Sequence, residues 1–246
     1  MNTPERFKDM QDKAVLDELK RTNISQTGVE NMTFISDTKP IIEMPDTKPK
    51  ETCRNGLDKD DPTLWHLMRD EQSYIHEHLE TLRMLTIMTQ PNSILEIGTG
   101  RGDSTLAFAE GLAHNGKGHL ITLDIKTSNE ALDTIQDEGL SQFVTFLRMS
   151  SQDYLKKLDG VNSIDMIFID GLHTRKQVEM ELHLLFPFIT DEGMIILHDT
   201  NNPAHAGVRE AVNRFFAEGN KWEDMIQYEY LHCNGLMILQ NDRPDS

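Results

Sequence analysis

From residue 61 onward the chain alternates between two hydrophobic periods. Residues 93–97, 119–124, 143–148, 164–170 and 193–199 are short apolar runs and read as strands. Between them, 103–113, 128–138, 151–158 and 174–188 carry apolar residues at helical spacing. A helix is also predicted over 62–89, with Leu64, Leu67, Met68, Tyr74, Ile75, Leu79 and Leu82 as its apolar positions. Thr127–Glu130 and Thr174–Gln177 both have the pattern of a capping box that starts a helix. After the fifth strand come a helix over 206–218 and two further strands over 225–231 and 235–240. Asn234-Gly235 between those strands is a hairpin turn signal.

Strands joined by helical crossovers form a parallel sheet covered on both faces. The predicted fold is therefore α/β: a doubly wound, mostly parallel seven-stranded sheet with a terminal antiparallel hairpin. Ligands of such sheets lie at the carboxyl ends of the strands, where the strand order reverses. Function is accordingly sought in the loops that follow each strand.

The first sixty residues differ. Residues 3–21 have an amphipathic pattern, with Thr3 as cap, Pro4 in the first turn and Phe7, Met10, Ala14 and Leu19 near one face. Residues 22–61 lack sustained periodicity and repeat Asp-Thr-Lys-Pro at 37–40 and 46–49. The chain thus divides into an N-terminal helix and arm over 1–60 and a ligand-binding domain over 61–246. The arm reads as a linker, a cover for the site or a contact to a second copy in a homo-oligomer.

Composition narrows the ligands. The net charge is −17, which disfavours nucleic acid, whose binding is carried by Lys and Arg. Cations, metal ions and neutral small molecules gain by the same field. No apolar run reaches the ~20 residues of a membrane span. Two cysteines and a polar N-terminus lead to the expectation of a cytoplasmic protein with reduced thiols.

The segment Ile94–Thr105, ILEIGTGRGDST, breaks a strand into glycines. Gly98 and Gly100 fit the start of a dinucleotide fingerprint, but Asp103 stands where its third glycine belongs. A carboxylate in the first helical turn suits the helix dipole and repels a pyrophosphate. The loop favours a cationic, phosphate-free cofactor, and S-adenosylmethionine fits that description. Asp124, at the end of the second strand, is placed to take ribose hydroxyls.

The stretches LEIGTGRGDST, HLITLDI, MSSQDYL, DMIFIDGLHT and MIILHDTNN, in that order, resemble class I S-adenosylmethionine-dependent methyltransferases. Among these they most resemble the metal-dependent small-molecule O-methyltransferases of the catechol O-methyltransferase type. The resemblance implies the Rossmann-like methyltransferase fold. It implies that Glu96 and Gly98 lie against the methionine part of the cofactor, that Gly100 belongs to the same cofactor-binding loop, that Ser104 binds the cofactor's carboxylate and that Asp124 holds its ribose. Ser151 and Gln152 match a Ser-Gln pair beside the adenine, although Ser151 is equally placed to cap a helix.

Asp170 ends the fourth strand and Asp199 the fifth, so the two acids share a crevice if those strands are neighbours. Two carboxylates completed by water and substrate oxygens suit Mg²⁺. In catechol-type enzymes an asparagine follows the second acid as a third ligand. Thr200 holds that position here, Asn201 is one later, and His198 precedes the acid. His173 stands where those enzymes have a lysine as general base. An imidazole with a reference pKa of ~6.5 can take a hydroxyl proton, and the alternative is a loop histidine beside the Thr174 helix start. Asp170 and His173 are the expected catalytic residues, and Asp170 also borders the cofactor. The expected activity is O-methylation of a small hydroxylated molecule such as a sugar, phenol or secondary metabolite. Two other readings remain: a protein of the cephalosporin hydroxylase type on the same fold, which shares Asp199-Thr200-Asn201, and a non-catalytic cofactor-binding assembly protein.

Overall fold

The structure, a computed structural model, describes residues 74–126, 128–158, 163–217 and 225–241. The expected helix over 3–21, the arm, residues 62–73 of the next expected helix, and Thr127 lie outside the described residues. Among the described residues no helix is long and apolar enough to cross a membrane.

Seven strands form one sheet: β1 (Ser93–Ile97), β2 (His119–Asp124), β3 (Val144–Arg148), β4 (Ile164–Ile169), β5 (Ile189–His198), β6 (Met225–Tyr230) and β7 (Leu236–Asn241). Their order is β3-β2-β1-β4-β5-β7-β6, with β7 antiparallel to both neighbours and the other pairs parallel. Among the described residues six α-helices flank it: α1 (Leu79–Thr89), α2 (Asp103–Asn115), α3 (Asn129–Asp137), α4 (Ser151–Leu155), α5 (Arg175–Leu185) and α6 (Ala206–Ala217). This is the doubly wound sheet and terminal hairpin that the hydrophobic periods predict.

Continuous apolar strands follow from burial on both faces. Successive side chains point to opposite sides, so Ile94, Met166 and Phe168 join one core with α1, α2 and α3. Leu95, Ile97, Ile167 and Ile169 join the other with α4, α5 and α6. Phe108 of α2 meets Phe168 of β4 edge to face, ring centres 5.5 Å apart.

Three local expectations are corrected. β5 starts at Ile189, earlier than the apolar pattern suggests, because a register shift against β4 admits the polar stretch Thr190–Gly193 into the strand. It also ends at His198, and Asp199 turns away with a φ of 60°. Thr174 caps α5 without a side-chain bond. Gln177, its supposed capping partner, points instead to Ser151 and Glu181.

Candidate functional site

β1 lies between β2 and β4, and the helix after β1 covers one face of the sheet while the helix after β4 covers the other, so a crevice opens at the carboxyl ends of these two strands. The strand ends are tied together there. Gly98 N–H donates to the Leu123 carbonyl and Asp170 N–H to the Ile97 carbonyl, each at 2.8 Å. Gly98 has φ +100°, and a Cβ on it would stand 2.2 Å from the Asp170 carbonyl oxygen. Only glycine allows the two loops this approach. Gly102, also left-handed, seats the first turn of α2 against Ala131, 2.6 Å from where its own Cβ would be. The loop therefore uses three glycines, at 98, 100 and 102, and Asp103 begins the helix itself.

Glu96 is wholly buried beneath this loop. Ser104 Oγ donates to its Oε1 at 2.5 Å and Thr105 Oγ1 to its Oε2 at 2.6 Å. Burial raises its pKa to about 7, partly opposed by the hydroxyl bonds. Glu96 and Ser104 face each other, and together they brace the glycine loop from below. A Cβ on Gly100 would meet nothing within 4 Å. Gly100 N–H donates to Asp124 Oδ2 at 3.1 Å, and Lys126 N–H to Asp124 Oδ1 at 2.9 Å. Asp124 thus stands half-buried at the rim, fixed by backbone donors, with acceptor capacity left on each oxygen. A permissive backbone, open space before it and a fixed rim carboxylate fit an adenosyl cofactor without phosphates.

Ser150, not Ser151, caps α4: its Oγ accepts from Asp153 N–H. Ser151 is buried and donates to Glu181 Oε1 at 2.6 Å, while the exposed Gln152 contacts the Met180 sulfur. The adjacent serine-glutamine pair thus splits between the interior and the surface.

Asp170 and Asp199 do share a crevice, because β4 and β5 are neighbours. His173 Nε2 lies 3.1 Å from Asp170 Oδ1 and 3.1 Å from Asp199 Oδ2. Burial lowers the basicity of His173, but the bond to Asp170 and the two carboxylate charges outweigh it, and its pKa rises. Burial would raise the pKa of Asp170, and the bonds from His173 and His198 turn the shift downward. His198 is buried, with Nδ1 3.3 Å from Asp170 Oδ1 and Nε2 3.2 Å from the Cys233 carbonyl oxygen. Burial opposes its protonation as well, yet the bonds to Asp170 and Cys233 and the two acids push its pKa up to about 10.

Thr200 does not join this group. Its hydroxyl donates to Glu229 at 2.9 Å, and its carbonyl accepts from Arg209. Asn201 is also turned away, with its amide donating to the Leu231 carbonyl. The structure brings in His205 instead, which nothing in the local spacing singles out. Its Nδ1 is 2.7 Å from Asp199 Oδ2, and its ring stacks on His173 at 4.1 Å. The nearest sequence signal is Asn202-Pro203, which starts the 3₁₀ turn Pro203–His205 through a bond from Ala204 N–H to Asn202 Oδ1. His183, inside α5, meets Phe215 edge to face, as a structural histidine does.

Known proteins share the fold. Residues 95–200 match the family described as methyltransferase domain. A catechol O-methyltransferase of Niastella koreensis is 38% identical over 94 residues, which cover 37% of this chain and 42% of that protein. The chain therefore spans less than half the length of that relative. The O-methyltransferase TomG of Streptomyces achromogenes, involved in tomaymycin synthesis and solved with SAM, superposes with a TM-score of 0.56 at 19% identity, covering 68% of this chain and 81% of its own. The SAH-bound methyltransferase of Podospora anserina gives 0.57 at 17%, covering 77% and 90%. At these identities the solved structures establish the fold. Over residues 95–200 the chain is thus similar to methyltransferase domains, and O-methyltransferases are among the proteins it resembles.

Proposed function

We propose that the protein transfers a methyl group from S-adenosylmethionine to a hydroxyl of a small molecule. One observation carries the reading: His173 is held between Asp170 and Asp199, 3.1 Å from an oxygen of each, beside the glycine loop. Carboxylates only accept, so Nε2 carries the proton and Nδ1 is the basic nitrogen. Both acids stabilise the imidazolium that forms when Nδ1 takes the hydroxyl proton, as an aspartate does behind a catalytic histidine. When bound, S-adenosylmethionine supplies an electrophilic methyl on its sulfonium. The substrate oxygen forms its bond to that carbon as the carbon–sulfur bond breaks. Alignment in the crevice supplies much of the rate. Asp124 orients the ribose, and Gly98 and Gly100 let the backbone approach the cofactor.

Mg²⁺ suits this crevice poorly. It calls for oxygen ligands in an octahedron, and the two carboxylates here are surrounded by the imidazoles of His173, His198 and His205. No step of the proposed reaction passes through it.

The test is release of S-adenosylhomocysteine from purified protein offered phenols, sugars and other hydroxylated acceptors. His173→Ala should lower kcat by about 10²- to 10⁴-fold, the usual worth of a general base, with S-adenosylmethionine affinity retained by calorimetry. Full turnover in that variant, or no binding of S-adenosylmethionine by the wild type, sinks the proposal.

A further inference from the structure

His173 and His205 share one acceptor. Asp199 Oδ2 receives His173 Nε2 at 3.1 Å and His205 Nδ1 at 2.7 Å. The two rings lie face to face, with centres 4.1 Å apart and planes 16° from parallel. The carboxylate only accepts, so His205 carries its hydrogen on Nδ1. Asn202 Nδ2 donates to the other oxygen of Asp199 at 2.7 Å, and His205 N–H donates to the Asn202 carbonyl at 2.9 Å. Ring and backbone of His205 are therefore both fixed.

Gly207, the second residue of α6, supplies the approach. A Cβ there would stand 2.5 Å from the Arg175 nitrogen and 2.8 Å from the His173 carbonyl oxygen. Without one, the start of α6 rests on the backbone of residues 173–175. That contact carries His205, two residues earlier, over the His173 ring.

Two things must be fixed for His173 to act through Nδ1. A neutral imidazole has two tautomers, and the torsion that turns its ring is broad. The two acids fix the tautomer by accepting from Nε2. Hydrogen bonds act at the edge of the ring and in its plane, so they restrain tilting weakly. A second ring in contact with the face restrains it directly.

We propose that His205 is a positioning residue for His173. Its stacked ring holds the plane of the imidazole, so that Nε2–H stays on the two acids and Nδ1 stays free for the acceptor hydroxyl. The consequence for rate rests on the methyl-transfer reading, but the state of the His173 ring can be observed without turnover.

The experiment uses the full chain carrying isotope-labelled histidine. The ring nitrogens of His173 are read from long-range proton–nitrogen correlation spectra and assigned by their loss in His173→Ala. Wild type should show one form, protonated at Nε2. In His205→Ala the two tautomers should mix, and kcat should fall about 10- to 100-fold, the usual effect of a small misplacement, with KM for S-adenosylmethionine unchanged. His205→Phe keeps a stacked ring and should recover most of the lost kcat; His205→Asn keeps a donor to Asp199 without a ring and should not. Gly207→Ala, which leaves both histidines in place, should reproduce the mixed signal. Thermal melting confirms that the variants are folded. A single Nε2–H form or wild-type kcat in His205→Ala, rescue by Asn in place of Phe, or a Gly207→Ala protein that matches wild type in both readouts overturns the proposal. If wild type releases no S-adenosylhomocysteine, the methyl-transfer reading fails and the His173 signal alone decides the role of His205. If turnover is present and the signal in His205→Ala is unaltered, only the role of His205 fails.

Discussion

Gly98 and Asp170 touch through their backbones: a Cβ on the glycine would stand 2.2 Å from the aspartate carbonyl oxygen. The contact joins the loop that would receive the cofactor to the loop that carries the proposed catalytic pair, Asp170 and His173. Gly98→Ala should therefore damage stability and binding together. The positive φ alone costs on the order of 1–3 kcal/mol, and the backbone clash adds to it. Chemical denaturation and S-adenosylmethionine calorimetry should both register the change, and an alanine variant with wild-type values in both would refute the close packing.

Asp124 makes the opposite prediction. Its carboxylate is fixed by two backbone donors at the rim of the crevice, so Asp124→Asn should fold normally. Loss of a charged acceptor to the ribose is worth about 1.5–3 kcal/mol, and the Kd for S-adenosylmethionine should rise about 10- to 100-fold. Unchanged affinity would remove Asp124 from the cofactor site.

Glu96 predicts a pH effect on stability. Its folded pKa of about 7 lies above the ordinary 4.5. Between those values the folded state keeps the proton that the unfolded state releases, so stability falls as pH rises through this window and levels off above it. The contribution is about 3 kcal/mol over the window. Glu96→Gln, which cannot ionise, should flatten that part of the urea-denaturation profile. A wild-type profile that rises between pH 5 and 7, or a variant as steep as wild type, contradicts the buried neutral carboxyl.

Phe168 tests the scaffold apart from the chemistry. It is fully buried in β4 against Phe108, two residues before Asp170. Phe168→Ala should cost about 3–5 kcal/mol, seen as a lower denaturation midpoint. A loss under 1 kcal/mol would show that the core does not depend on this pair.

The sequence by itself determined the seven strands, the helices between them and the position of the crevice. Which face of an element is buried is a local property, written as a period of two or about 3.6. It also placed Gly98, Asp124, Asp170 and Asp199 at strand ends, because those positions follow directly from where an apolar run stops. Tertiary structure alone decided which side chains meet. Ser150 and Ser151 are adjacent, and the backbone at the start of α4 made the first the cap and turned the second to Glu181. Thr200 went to Glu229 because the left-handed turn at Asp199 redirects the chain. That same turn, with the 3₁₀ segment after it, carried His205 back onto Asp199 and His173. His198 faces Asp170 because β4 and β5 are neighbours and because the β6–β7 connection supplies the Cys233 carbonyl. Convergence of this kind depends on register between distant segments and on single torsions, and neither leaves a period in the sequence.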